Sequence, residues 1–402
     1  TRNLAATPPA PTPETILERL TRGESTFTRA DLARAVMAAT DTSEAFTSLL
    51  ARVETAPEVM RAPDDPDRFA TRTMVRIEDE MVRAADALAI GAKHAARGTP
   101  ASGRDLSDEQ RAALAHVTSS EGLACVVGYA GTGKSTMLGA AREVWERAGY
   151  NVRGFALSGI AAESLESGSG ITSTTLHALQ WQLAHGRTTL TPKDVIVIDE
   201  AGMVGSRQMH GVLTAARDAG AKVVLVGDPS QLQAIDAGGA FRAILDRTGA
   251  AHMAHIRRQA TDWQQAATRA LAEGKVTDAL RQYDSGGAIH AHASKDAATT
   301  ALIRQWATDL QAKKPPALIL AATRKDVVQL NSEARSAMRA AGRLGEDFVV
   351  GAREETMGEP TREFRLRVAQ GERLLFTKND KRMGVKNGTL GTLERAEGGT
   401  LF

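Results

Sequence analysis

Leu123-Ala124-Cys125-Val126-Val127 runs into Gly128-Tyr129-Ala130-Gly131-Thr132-Gly133-Lys134-Ser135-Thr136, and a stretch bearing Leu138, Ala141, Val144 and Trp145 on one helical face follows. A buried-strand pattern, a glycine-rich turn and a helical pattern thus stand in succession. The turn matches G-x-x-x-x-G-K-[ST] in full. Its glycines let the backbone wrap until successive N–H groups aim at phosphate oxygens, and the start of the helix adds positive potential. Lys134 is placed to reach the β- and γ-phosphates of a nucleotide, and the Ser135 hydroxyl to hold Mg2+. Gly128, Gly131, Thr132, Gly133 and Thr136 complete the expected cradle, so ATP and Mg2+ are the expected cofactors. The bland alternative is a glycine-rich strand-to-helix turn with no ligand.

Working outward, Val195-Ile196-Val197-Ile198 is a second buried-strand pattern, ending in Asp199-Glu200. Asp199 at the strand tip would hold the metal, directly or through water, and Glu200 would orient and deprotonate an attacking water. Val223-Val224-Leu225-Val226 repeats the layout before Gly227-Asp228-Pro229-Ser230-Gln231. Gln231 could hydrogen-bond the γ-phosphate or the water; Asp228-Pro229 is also ordinary turn chemistry. From Asp105 onward, strand-sized apolar runs alternate with helical patterns at 134–148, 159–167, 206–219 and 238–247. That alternation predicts an α/β fold with a mostly parallel sheet and helices on both faces.

The rest of the chain sets the frame. It has 402 residues, with 42% hydrophobic and 24% charged, and a net charge of +2. This is the balance of a globular protein of two or three domains. No apolar run approaches the length of a membrane span, so no membrane insertion is expected, and the use of a single cysteine fits a reducing, cytoplasmic setting. Cys125 is the single cysteine, so a disulfide within the chain is excluded. Residues 1–13 read as a proline-rich linker, 14–97 as a helical N-terminal domain and 98–104 as a second linker. Thr28 is a candidate helix cap, and Pro57, Pro63 and Pro66 interrupt the helical region. Domain bounds then follow at 105–285, 286–361 and 362–402. Strands are expected near Ala288–Ala291 and Leu318–Ala321, and helices over 295–312 and 325–341. The end of the chain, with Asn387-Gly388, reads as β-rich. The basic residues of 362–382 suit phosphate contact or a solvated ribbon equally. His290-Ala291-His292 reads as part of a strand and not as a metal site. The start at Thr1 without a methionine suggests a piece of a longer polypeptide.

The set of motifs resembles superfamily 1 helicases of the RecD-like branch, and within it the helicase segment of TraA/TraI-type conjugative relaxases. Leu106-Ser107-Asp108-Glu109-Gln110 resembles the family's Q-motif, whose glutamine, matching Gln110, reads adenine. Ser107-x-x-Gln110 is also a capping box. Ala156-Leu157-Ser158-Gly159-Ile160-Ala161-Ala162-Glu163 and Thr174-Thr175-Leu176-His177 resemble two single-stranded DNA contact motifs, which implies roles for Ser158, Gly159, Thr175 and His177. Plain helix capping competes with each. Ile256-Arg257-Arg258-Gln259 resembles the motif whose arginine, matching Arg258, reaches the γ-phosphate. Phe27-Thr28-Arg29-Ala30-Asp31-Leu32 and Arg68-Phe69-Ala70-Thr71-Arg72 resemble what precedes the motor in those relaxases.

The resemblance implies a P-loop RecA-like domain at 105–285, the start of a second RecA-like lobe at 286–361 and a β-rich insertion at 362–402. It implies the N-terminal motor half of an ATP-dependent 5′–3′ helicase on single-stranded DNA. A linked relaxase domain and conjugative transfer machinery are the implied partners. The family's late His-rich and Thr-Arg motifs have no match in the chain, so weak or absent hydrolysis is expected of these residues alone. A non-catalytic DNA-binding scaffold and a RecD-type repair helicase are the alternative readings.

Overall fold

The computed structural model describes residues 11–62, 65, 67–91, 94–100, 103, 105–229, 231, 238–257, 259, 261–312, 317–354, 362–377, 380, 382–397 and 400–402. They form two compact units, Thr1–Lys275 and Val276–Phe402.

The first unit opens with α1 (Pro13–Gly23), β1 (Thr26–Thr28), α2 (Arg29–Met37), α3 (Ser43–Glu54), β2 (Val59–Arg61), β3 (Arg68–Thr71) and α4 (Arg72–Ile90). Threonine caps all four helices: Thr12, Thr28, Thr42 and Thr71 each accept the N–H three residues on. These bonds satisfy amides that a helix start leaves without partners. The region is helical as expected, with a small sheet added. β1, β3 and β2 form a small antiparallel sheet in that order. Strands of three or four residues are too short to display alternation, so the sequence conceals them. Phe27 on β1 lies opposite Phe69 on β3, with stacked rings 6.1 Å apart. The two N-terminal segments that carry the family resemblance are therefore partners in one ladder. Ile16, Leu17, Phe27, Leu32, Val36, Leu49 and Val53 make the local core.

α4 faces elsewhere. Its Met81, Ala84, Ala85 and Leu88 are buried in the core of the large sheet that follows. That sheet is built from α5 (Asp108–Val117), β4 (Leu123–Gly128), α6 (Lys134–Arg147), β5 (Asn151–Ala156), α7 (Gly159–Ser169), β6 (Ser173–Thr175), α8 (Leu176–Ala184), β7 (Asp194–Ile198), α9 (Ser206–Ala219), β8 (Lys222–Gly227), α10 (Ala240–Thr248), β9 (Ala251–Met253) and α11 (Asp262–Ala272). The six strands are ordered β6-β5-β7-β8-β4-β9, and every pairing is parallel.

Alternation along the strands gives two cores. Leu123, Cys125, Ile196, Ile198, Val223 and Leu225 face α4, α8, α9 and α10. Ala124, Val126, Val195, Val197, Val224 and Val226 face α5, α6 and α7. Both faces are covered, which is why the strands read as unbroken apolar runs.

The second unit holds α12 (Val276–Ser285), α13 (Lys295–Gln311) and α14 (Arg324–Ala340), then three antiparallel pairs. β10 (Asp347–Glu354) pairs β11 (Arg362–Ala369), β12 (Arg373–Leu375) pairs β13 (Leu390–Thr392), and β14 (Ala396–Glu397) pairs β15 (Thr400–Leu401). The β-rich character of the chain end thus begins already at Asp347. The strands expected at 288–291 and 318–321 are irregular chain, with His290 and His292 exposed. Leu318 and Leu320 are each 84% exposed. An apolar run becomes a strand only where a neighbouring edge accepts its backbone bonds, and neither run pairs with a strand among the described residues.

Candidate nucleotide-binding site

Parallel strands end at one edge of a sheet, and ligands of such sheets bind outside the carboxyl ends. Every loop leaving that edge carries expected site residues. β4 leads into 128–136, β5 into Ser158 and Gly159, and β6 into Thr175 and His177. β7 leads into Asp199 and Glu200, β8 into Gln231, and β9 into 254–257 and Gln259. Arg258 lies outside the described residues.

In the phosphate turn, Gly131 and Gly133 have φ of +83° and +85°. An L side chain is strained at both positions. A Cβ on Gly133 would also lie 2.4 Å from Gln110 Nε2. Gly133 caps α6 without any side-chain hydrogen bond, so the first amides of α6 point into the turn as anion donors. The Thr132 hydroxyl donates to the Tyr129 carbonyl at 3.0 Å, and Lys134 Nζ donates to the Gly128 carbonyl at 2.8 Å. Ser135 faces α7: a Cβ on Gly168 would lie 2.8 Å from Ser135 Cβ. Gly168 was not singled out from the sequence, because glycine inside a helix signals close approach only once its neighbour is known.

Gln110 is 1% exposed and makes the capping box of its motif. Its Oε1 accepts the Ser107 N–H at 3.0 Å, and its own N–H donates to Ser107 Oγ at 3.3 Å, completing the capping box. Its Nε2 donates to the Gly133 carbonyl at 3.2 Å, against the phosphate turn.

At the tip of β7 the Asp199 carboxylate accepts the Glu200 N–H at 2.9 Å. Glu200 has φ of +51°, alone among the described non-glycine residues in being positive. Such strain persists where surrounding structure enforces it, often at functional loops. Burial pushes Asp199 above the usual carboxylate range, against the Glu200 amide and the Lys134 ammonium. Burial likewise raises Glu200; Lys134 opposes this, while Asp199 and Asp228 add to it. The phosphate-turn lysine and the acidic pair are therefore electrostatic neighbours, although β8 separates their strands.

Asp228 is the residue the sequence reading passed over. It is 6% exposed and its charge bears on Glu200. The signal was present, since Asp228 ends its strand as Asp199 does. Its closeness to Glu200 comes from backbone packing: a Cβ on Gly227 would lie 3.0 Å from the Ala201 and Gly202 nitrogens, and one on Gly202 2.8 Å from the Asp228 carbonyl oxygen. Gln231 Nε2 donates to Asp228 at 3.2 Å, which holds that amide beside the acidic group.

Among the described residues no cluster of three or more His, Cys, Asp or Glu side chains could hold a metal alone. Mg2+ takes one or two protein oxygens and completes its shell from phosphates and water. Ser135 and Asp199 are oxygen donors of the kind such a site uses, and a cation beside Asp199 would favour its charged form against the burial that raises it.

On the remaining loops, Ser158 caps α7 by accepting the Ala161 N–H, and Thr175 caps α8 by accepting the Ala178 N–H, both at 3.2 Å. The capping reading of Ser158 holds, and the cap of α8 is Thr175 and not His177. Gly159 is buried and His177 is exposed.

Residues 105–294 match the family model described as an AAA domain. The conjugal transfer protein TraA of Agrobacterium fabrum is 40% identical over 399 residues, covering 96% of this chain and 35% of the relative. The ATP-dependent RecD2 DNA helicase of Deinococcus radiodurans is 28% identical over 307 residues, covering 74% of this chain and 39% of the relative. The multifunctional conjugation protein TraI of Escherichia coli is 31% identical over 172 residues, covering 40% of this chain and 10% of the relative. Sheet and phosphate turn together define a P-loop α/β domain, which these relatives make similar to the RecD-like superfamily 1 class. Within that class the chain resembles the TraA conjugal transfer proteins, and it spans 35% of the length of those relatives. Among the described residues no helix is long and apolar enough to cross a membrane.

Proposed function

We propose that the chain is the N-terminal motor part of an ATP-dependent helicase that moves 5′ to 3′ along single-stranded DNA. In this reading it belongs to a cytoplasmic conjugative relaxase-helicase that transfers plasmid DNA with the transfer machinery. The observation that carries the reading is the phosphate turn itself, with Gly131 and Gly133 at positive φ, the amides of α6 open at its start and Lys134 Nζ 2.8 Å from the Gly128 carbonyl.

Each side chain then has a task. The amides of 131–135 and Lys134 bind the phosphates, and Gln110 lies against the turn where it can meet the base. Ser135 and Asp199 would hold Mg2+, which supplies charge neutralisation at the phosphates. Glu200 accepts the proton of the attacking water, and Gln231, held by Asp228, orients that water or the γ-phosphate. Arg258 stabilises charge developing on the γ-phosphate. The N–H groups at Ser158–Gly159 and the Thr175–His177 turn grip DNA phosphates. These 402 residues turn ATP over slowly or not at all, because the family's late motifs have no match among them.

The test compares ATP binding and DNA-stimulated hydrolysis of wild type, Lys134→Ala and Glu200→Gln. Lys134→Ala should lose nucleotide, and Glu200→Gln should bind it without turnover. Equal nucleotide affinity in wild type and Lys134→Ala would overturn the motor reading in favour of a DNA-binding scaffold.

A further inference from the structure

Two adjacent residues of α5 reach two different parts of the site. Gln110 donates to the Gly133 carbonyl at 3.2 Å. Glu109 Oε2 accepts the N–H groups of Ala254 and of His255, both at 3.0 Å. Two residues further, the Arg257 N–H donates to the Gly131 carbonyl at 2.8 Å.

β9 pairs with β4 over only three residues and ends at Met253. Residues 254–257 therefore leave the sheet without a ladder. Two successive amides aimed at one point form a small anion-binding concavity. In this chain the occupant is a carboxylate from α5. A charged acceptor makes both bonds stronger than neutral ones. The buried side chain of Ile256 anchors the segment as well, but an apolar contact does not fix the register of the amides.

We propose that Glu109 is a positioning residue that registers segment 254–257 against the phosphate turn, so that nucleotide bound in the turn is felt by that segment. The inference rests on the nucleotide-binding reading above. Glu109 acts through the backbone: its carboxylate fixes Ala254 and His255, which aligns the Arg257 amide on Gly131. Any movement of the turn around a triphosphate is then carried to the chain that continues toward Gln259.

The experiment is hydrogen exchange of the 402-residue chain, read by mass spectrometry, with and without a non-hydrolysable ATP analogue and Mg2+. In wild type the analogue should slow exchange in peptides spanning 128–136 and 254–257. Glu109→Ala should keep the slowing at 128–136 and reduce that at 254–257 by at least about tenfold. Glu109→Gln keeps the side-chain length and one neutral acceptor, so it should fold as wild type and give an intermediate value. If Glu109→Ala fails to fold, the Gln variant decides: slowing at 254–257 smaller than in wild type supports the proposal, and slowing equal to wild type overturns it. Equal slowing at 254–257 in wild type and variant overturns the proposal alone. No slowing at 128–136 in wild type overturns the nucleotide reading and this proposal with it.

Discussion

Lys134 Nζ donates to the carbonyl oxygen of Gly128 at 2.8 Å, so the ammonium bridges from the first turn of α6 to the last residue of β4. A phosphate oxygen bound in the turn would compete with that carbonyl for the same donor. Charge-assisted bonds of this kind contribute about 1.5–3 kcal/mol. Lys134→Ala should therefore weaken ATP binding by at least about tenfold, measured with a fluorescent ATP analogue. Unchanged affinity would show that the ammonium stays on Gly128 and does not meet phosphate.

The acidic pair predicts a pH dependence. Burial raises Asp199 above its ordinary 3.8 and Glu200 above its ordinary 4.5. The unfolded chain has the ordinary values, so folding strengthens proton binding at both groups. The corresponding stability is fully present below the ordinary values and is lost as pH rises through the folded ones. Asp199→Asn should accordingly raise Tm at neutral pH, and the gain should shrink as pH falls toward about 4. A variant less stable than wild type at neutral pH would contradict this.

For turnover the same shift places the acid limb of the rate profile above pH 4.5. That limb should disappear in Glu200→Gln, with kcat lower by roughly 10²–10⁴. An unchanged profile would assign the proton transfer elsewhere.

Gln110 separates two roles by measurement. Gln110→Ala removes the capping box and should lower stability by about 1 kcal/mol. If Gln110 also reads the base, the variant loses preference for ATP over other nucleoside triphosphates. Lost stability with retained preference would leave only the cap and the contact to Gly133.

The Phe27–Phe69 pair tests the small N-terminal sheet. Phe27 is 1% exposed, and Phe27→Ala should destabilise the region by about 3–5 kcal/mol. Because α4 is packed into the large sheet and away from this core, nucleotide binding should survive. A joint loss would show that the two cores unfold together.

Much of the site was legible in the residues themselves. A turn with glycines at positive φ, a lysine and a hydroxyl leaves a local imprint, and so does an apolar strand ending in Asp199-Glu200. Those features depend on neighbours in the chain, and β4, β5, β7 and β8 with α6, α7, α9 and α10 fell where periodicity set them, whereas β6 and β9, three residues each, are too short to show it. What the sequence left open depends on residues far apart in it. The insertion of β8 between β4 and β7, the pairing of β1 with β3, and the closeness of Asp228 to Glu200 follow from which edges and faces meet. The same is true of Glu109 on Ala254 and His255. The runs at 288–291 and 318–321 show the converse. Strand-like residues alone do not make a strand, because a backbone ladder needs a partner that only the tertiary structure can supply.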